Sequence, residues 1–311
     1  QDPAPPRTPR EKFAANITAI RTLKSIEKRM ADGGPHANGE EQEILAQYSG
    51  WGGLSDAFEP NKDSWHSEYT ELKSLLTEEE YAAARSSTLT AFYTPPEVID
   101  AMYTTLRKMG VGAGTILEPS MGVGAFFGQS HSYLYEPTTR LFGVELDSLT
   151  GRIARQLYQK ANIQITGFEK ADLPDSFFDV VIGNVPFGDY SVVDPQYNRL
   201  HFKIHDYFFA KSIDKLRTGG IIAFITTSGT LDKKSEEVRK YINARCDFIG
   251  AVRLPDSTFK SAGTKAMADI IFLQKRDRIL EQDASWLHTT QTEVGLSLNS
   301  YFAEHPEMVC G

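Results

Sequence analysis

Phe13, Ile17, Ile20, Leu23 and Ile26 recur every three or four residues, the spacing of one helix face. Gly33-Gly34-Pro35 breaks that periodicity. A second helix is expected over Glu40 to Tyr48, closing on a glycine-rich turn, Ser49-Gly50-Trp51-Gly52-Gly53-Leu54, around one large ring. A third helical stretch is expected from Ser67 to Ser86. From Ala91 the pattern changes to short apolar runs alternating with amphipathic ones. Strands are expected at Thr115 to Glu118, Leu141 to Glu145, Ile163 to Thr166, Phe178 to Ile182, Ile221 to Thr226, Asp247 to Arg253 and Ala268 to Lys275. Helices are expected from Pro95-Pro96 to about Lys108, after Gly124, over Ser148 to Lys160, over Ile204 to Leu216 with Gly219-Gly220 as its cap, and over Lys233 to Ala244. This alternation predicts an α/β fold with a doubly wound, mostly parallel, seven-stranded sheet. Residues 1–10 read as a Pro-rich flexible lead-in, 11–90 as a helical N-terminal region, 91–278 as the α/β core, and 279–311 as a polar tail or linker toward a further region.

At 311 residues, 41% apolar and 24% charged, the chain suits a globular protein with a full core. No apolar run approaches the ~20 residues of a membrane span, and the N-terminus lacks the apolar stretch of a signal peptide. The two cysteines, Cys246 and Cys310, lie in no Cys/His cluster, so no metal site is expected and a cytoplasmic location fits. The net charge of −8 argues against an evenly basic surface. Yet Leu200 to Arg278 holds 15 Lys/Arg against 9 Asp/Glu, which suits either a local polyanion site or a solvated helix surface.

Thr115-Ile-Leu-Glu118-Pro119-Ser120-Met-Gly122-Val-Gly124 is a strand, a Gly-x-Gly turn and a helix start. Glycines there let the backbone approach a ligand closely. The pattern also loosely fits a dinucleotide fingerprint. Glu118 separates the two readings, because a carboxylate attracts a cation and repels a pyrophosphate. Glu145 ends the next strand, where an acid can accept both ribose hydroxyls of a nucleoside cofactor; Asp147 fits a helix N-cap. Phe168 and Glu169 follow the third strand, where an adenine ring would be stacked and its amine accepted, unless Phe168 is core. Tyr93-Thr94-Pro95-Pro96 opens a helix and can place Thr94 and an aromatic ring near the other end of that cofactor. His205 and Asp206 fit a helix start better than an acid/base pair.

The sharpest element is Asn184-Val185-Pro186-Phe187, at the end of an apolar strand. The amine of adenine is a poor nucleophile, because its lone pair is delocalised into the ring. Two acceptors aimed at its hydrogens hold that lone pair outward and stabilise the charge that develops. The Asn184 amide oxygen and the Val185 carbonyl can be those acceptors. Pro186 keeps Val185 extended, and Phe187 can stack on an extruded base.

These motifs, in this order over about Ala91 to Lys275, resemble the gamma-type N6-adenine DNA methyltransferases. Tyr48-Ser-Gly-Trp-Gly-Gly-Leu54 and Tyr301-Phe-Ala-Glu-His-Pro-Glu-Met308 resemble large methylase-helicase polypeptides of phages and mobile elements. The resemblance implies a Rossmann-like methyltransferase sheet and S-adenosylmethionine as cofactor. Tyr93, Thr94, Glu118, Pro119, Ser120, Gly122, Gly124, Glu145, Phe168 and Glu169 would line its site. Asn184 and Val185 would activate the target amine. Two positions depart from the family pattern: Val185 stands for its first proline, and Phe168 for its aspartate. DNA is the expected substrate, with Lys233, Lys234, Arg239, Lys240 and Lys260 as candidate phosphate contacts. Further domains of a longer polypeptide, or a helicase partner, are expected to choose the sequence. Related Asn-Pro-Pro-Tyr enzymes methylate glutamine amides in proteins, and a catalytically silent cofactor- and DNA-binding module is a third reading.

Overall fold

The computed structural model describes residues 7–88, 94–259, 267–292 and 295–310. Four helices come first: α1 (Pro9–Ala31), α2 (Gly39–Leu45), α3 (His66–Leu75) and α4 (Glu78–Ser87). Thr8 caps α1 in a reciprocal box with Glu11, so the helix starts inside the stretch read as a lead-in. The single helix expected over Ser67 to Ser86 is two, because Thr77 and Glu80 form a second capping box that restarts the chain. Phe13, Ile20, Leu23, Tyr48, Trp51 and Phe58 build a separate apolar cluster, which also takes in Leu149 and Ile153 of the core.

The core runs α5 (Pro96–Lys108), β1 (Thr115–Glu118), α6 (Ala125–Ser130), β2 (Arg140–Glu145), α7 (Ser148–Leu157), β3 (Asn162–Ile165), β4 (Phe178–Asn184), α8 (Ile204–Lys215), β5 (Leu216–Thr227), α9 (Gly229–Asp232), α10 (Glu237–Arg245), β6 (Cys246–Arg253) and β7 (Ala268–Lys275). The seven strands lie in the order β3-β2-β1-β4-β5-β7-β6, with β7 antiparallel to both neighbours. Alternate residues feed opposite faces. Leu117, Val181, Ile222 and Phe224 pack under α8 and α10, while Ile116, Val180, Ile182 and Ala223 pack under α5 and α6. The sheet is therefore wound on both sides, as expected. The order reverses between β1 and β4, and that switch point puts a crevice at their carboxyl ends.

Three local expectations fail for identifiable reasons. Gly219-Gly220 caps no helix: α8 ends at Lys215, and the pair lies inside β5. There β5 shifts register against β4 between Phe178 and Val180, and Gly219 adopts φ 79. A side chain on Gly220 would sit 2.9 Å from the Phe178 carbonyl. The helix expected from Lys233 to Ala244 starts only at Glu237, as α10; Lys233 is extended and follows a separate short helix, α9. Beyond Arg276, β8 (Thr289–Gln291), β9 (Ser297–Asn299) and α11 (Ser300–Glu304) fold back, burying Trp286, Leu287 and Phe302 in the main core. Trp286 stacks on Phe248 of β6, with ring centroids 4.5 Å apart. Among the described residues no helix is long and apolar enough to cross a membrane, and no cluster of His, Cys, Asp or Glu could hold a metal ion.

Candidate active site

Four strand ends converge on the crevice. Glu118 closes β1, Glu145 closes β2, Ile165 closes β3 and Asn184 closes β4. Glu118 is only 2% exposed, and its Oε2 has no hydrogen-bond partner. Burial, then the nearby Glu145 charge, pushes its carboxyl well above the usual range. An ionised oxygen left unpaired inside a protein is costly, so without a cationic partner the protonated form is favoured here. Glu145 accepts at Oε2 from the Gly122 N–H (2.8 Å) and at Oε1 from the Asp147 N–H (2.8 Å). Burial raises its carboxyl to about 7, against the pull of those N–H groups.

Pro119 is buried and Ser120 half-buried as the chain turns into Gly122-Val123-Gly124. Gly122 (φ 55) has open space where a side chain would start. Gly124 is required twice, by its φ of 86 and by the Tyr158 ring, 2.4 Å from where a Cβ would be. Gly124→Ala is expected to destabilise the fold by about 2–4 kcal/mol, adding a left-handed residue to an overpacked contact. Urea unfolding of the purified protein measures that directly.

Asn184 is half-buried and donates through Nδ2 to Thr94 Oγ1 at 3.2 Å. Thr94 is 6% exposed. With its nitrogen held there, the amide offers its oxygen to a second group. Val185 is buried; its N–H bonds the Ile225 carbonyl (3.1 Å), which fixes the peptide before Pro186. Half-buried Pro186 and Phe187 follow, Phe187 lying where the clusters of the two sheet faces meet. A Cβ built on Gly183 would lie 3.5 Å from Glu118 Cγ, so the tips of β1 and β4 are immediate neighbours.

Phe168 is 3% exposed and packs on Phe208 at 4.9 Å between ring centroids, which makes it core. Half-buried Glu169 folds over Gly167. Leu146, 76% exposed between Glu145 and Asp147, is an apolar group beside the site that motif reading passed over. Its signal was an apolar side chain between two acids at a strand tip. Residues 188–200 are pinned by buried Asp194, which accepts from the Tyr207 hydroxyl (2.7 Å) and Lys211 Nζ (3.0 Å). Lys211 also reaches the Glu169 carbonyl at 3.2 Å.

The basic candidates separate. Arg239 is fully buried and donates to the carbonyls of Leu287 (2.8 Å) and Lys233 (2.9 Å), so it cannot meet phosphate. Lys233 is paired with buried Asp206. Lys240 is exposed and pairs with Glu236, one turn before it at 2.8 Å. Lys234 is exposed. Tyr93 and Lys260 lie outside the described residues. Asp206 and His205 serve the start of α8: His205 Nε2 is 3.5 Å from Asp206 Oδ2, and burial lowers the imidazole's pKa.

A family model described as N-6 DNA Methylase matches residues 75–297. Over 285 residues, 90% of this chain, the sequence is 26% identical to "Defense against restriction protein B" of Escherichia phage P1, and spans 11% of that protein. It is 26% identical over 156 residues to the uncharacterized protein YtxK of Bacillus subtilis, covering 46% of each chain. The fold is similar to the type I restriction-modification system methyltransferase subunit from Streptococcus thermophilus, with a TM-score of 0.52, 17% identity, and coverage of 94% of this chain and 73% of that one.

Proposed function

The chain belongs to the N-6 DNA methylase family, and from that premise we propose that it methylates the N6 amine of adenine in DNA. The observation that carries the reading is the adjacency of two strand tips. The Asn184 amide, oriented by Thr94, stands beside the unpaired Glu118 carboxylate. One group suits an exocyclic amine and the other a cation.

S-adenosylmethionine, when bound, supplies a methyl group on a cationic sulfonium. Glu118 would face its positive charge, Glu145 its ribose, and Leu146 and Glu169 its adenine. Gly122 would keep the backbone turn open to it, Gly124 would hold the turn's left-handed corner against Tyr158, and Pro119 and Ser120 would lead in. Asn184 Oδ1 and the Val185 carbonyl would accept from the target amine, leaving its lone pair directed at the methyl group. Phe187 would stack on the extruded base and offset the few kcal/mol of unstacking. No strong base is required, because the amine becomes acidic once methylated. Exposed Lys234 and Lys240 remain candidates for phosphate, and the segment 188–200 flanks the target side. The reading places the chain's action on cytoplasmic DNA, with further domains or a helicase partner choosing the sequence.

The test is digestion of DNA from an expressing host, followed by mass spectrometry, with a labelled-methyl assay on purified DNA and protein alongside. N6-methyladenine above the empty-vector level is the expected result. Label in protein alone would overturn the DNA substrate, and cofactor binding with no transfer to either would overturn catalysis.

A further inference from the structure

Two short segments follow neighbouring ends of the sheet. A single helical turn, Phe168–Lys170, comes after β3 and carries Glu169; residues 188–200 come directly after Phe187, beyond the tip of β4. Among the described residues no hydrogen bond joins the two segments directly. Both are held instead by one side chain of α8. Lys211 Nζ donates to the Glu169 carbonyl at 3.2 Å and to Asp194 Oδ2 at 3.0 Å. The same ammonium stands 5.3 Å from the centre of the Phe168 ring. Lys211 and Asp194 are each 6% exposed.

The groups that Lys211 holds are stiff in their turn. Tyr207, one turn earlier on the same face of α8, donates its hydroxyl to the same Asp194 oxygen at 2.7 Å. The Asp194 N–H donates to Asn198 Oδ1 (2.9 Å), and its carbonyl accepts from the N–H groups of Tyr197 (2.9 Å) and Asn198 (2.8 Å), which folds the insert back on itself. Nearer Phe187, the Tyr190 carbonyl accepts from the Ile204 N–H at 2.8 Å, where α8 begins. On the other side, the Lys170 N–H closes onto the Gly167 carbonyl at 3.0 Å. Lys215, one turn after Lys211, donates to the Leu173 carbonyl (2.8 Å) and to Asp175 (2.7 Å).

A buried ion pair adds little net stability, because both charges are stripped of water. What this one fixes is geometry: one ammonium spends its donors on two separate segments. We propose that Lys211 is a positioning residue of the methyl-transfer site, setting the Glu169 turn and the insert in one frame. The proposal rests on the reading of Glu169 as a contact of the cofactor's adenine and of the insert as the flank of the target base. Lys211 would touch neither the cofactor nor the DNA. It acts through the Glu169 backbone on one side and through Asp194 on the other, and the two bonds serve different steps. The first would set cofactor affinity, the second the alignment of the target.

The experiment compares wild type, Lys211→Met and Asp194→Asn. Calorimetric titration of S-adenosylmethionine, thermal unfolding, and single-turnover transfer to unmethylated genomic DNA at saturating cofactor are measured on the same samples. Methionine keeps an unbranched stem and removes both bonds. Asparagine keeps an acceptor for Tyr207 and leaves the bond to the Glu169 carbonyl. Cofactor binding by Lys211→Met should be about tenfold weaker, the loss of one hydrogen bond from a charged group. Its saturated transfer rate should also fall by about tenfold or more, since small misplacements are costly in rate. Asp194→Asn should bind the cofactor as wild type does and show only the slower transfer. A merely structural pair would lower the melting temperature of both variants and leave affinity and saturated rate unchanged below it, and that result would overturn the proposal. Should Lys211→Met fail to fold, a wild-type transfer rate in Asp194→Asn would overturn it alone. A wild type that binds no cofactor, or binds it and transfers nothing, would overturn the reading of the site on which the proposal rests.

Discussion

Asn184→Ala is expected to abolish methyl transfer while leaving cofactor binding within about twofold of wild type. The substitution removes one of the two acceptors that would face the target amine. It leaves Glu118, Glu145 and the glycine turn in place. Losing one preorganised electrostatic group of this kind lowers rates by roughly 10²–10³. The effect here should be larger, because the same amide also orients the base. Thr94 loses its partner at 3.2 Å as well, so a modest stability loss of about 1 kcal/mol accompanies the kinetic one. Single-turnover transfer to a labelled duplex, with calorimetric binding in parallel, separates the two effects. Transfer at the wild-type rate would remove Asn184 from the mechanism.

Glu118→Gln should do the reverse, weakening cofactor binding severely while stabilising the ligand-free protein. Removing one side of a buried ion pair is worth about 3–5 kcal/mol, or roughly 10²–10⁴ in affinity. Without ligand, however, the Glu118 carboxyl is buried beside Glu145 with an unpaired oxygen. Its raised pKa means that the folded state holds a proton that the unfolded state releases at neutral pH. Stability is therefore fully present below the unfolded pKa, near 4.5, and is lost as pH rises through the folded value. Glu145 adds the same sign over the window from 4.5 to about 7, on the order of 3 kcal/mol. Wild type should accordingly melt lower at pH 8 than at pH 5. Glu118→Gln should flatten that slope and melt higher at pH 8. Cofactor binding should strengthen with pH over the same window, since a cation favours the ionised acids. A flat wild-type melting curve between pH 5 and 8, or unchanged cofactor affinity in the variant, would contradict this account.

Where chemistry is local, the sequence alone was enough. The strand Thr115–Glu118 is bounded by Gly114 and Pro119, and its limits could be read to the residue. The apolar run likewise marked the strand that starts at Phe178, which the structure carries two residues past the expected end at Ile182, to Asn184. The Thr77–Glu80 capping box was also legible, and the helical period running through it hid the break.

What could not be read was decided by distant partners. Arg239 looks like a surface cation on a helix, until the carbonyl of Leu287, 48 residues on, takes its guanidinium. Phe168 stands where an adenine could stack, but Phe208 of α8 draws it into the core. Gly219-Gly220 after a helix reads as a cap, and only the pairing of β5 with β4 turns it into an irregularity within a strand. Thr94 and Asn184 are 90 residues apart, so their bond had no signature in either motif alone.

The returning C-terminal segment has a practical consequence. β6 forms one margin of the sheet, and Val309 pairs with its last residue, Arg253, while Trp286 covers its Phe248 ring. A protein trimmed at 278, where the patterned strands stop, would bare that ring and leave the strand's outer groups unshielded. Such open borders recruit one another into aggregates. The stretch read as a polar tail or linker is what keeps the border closed.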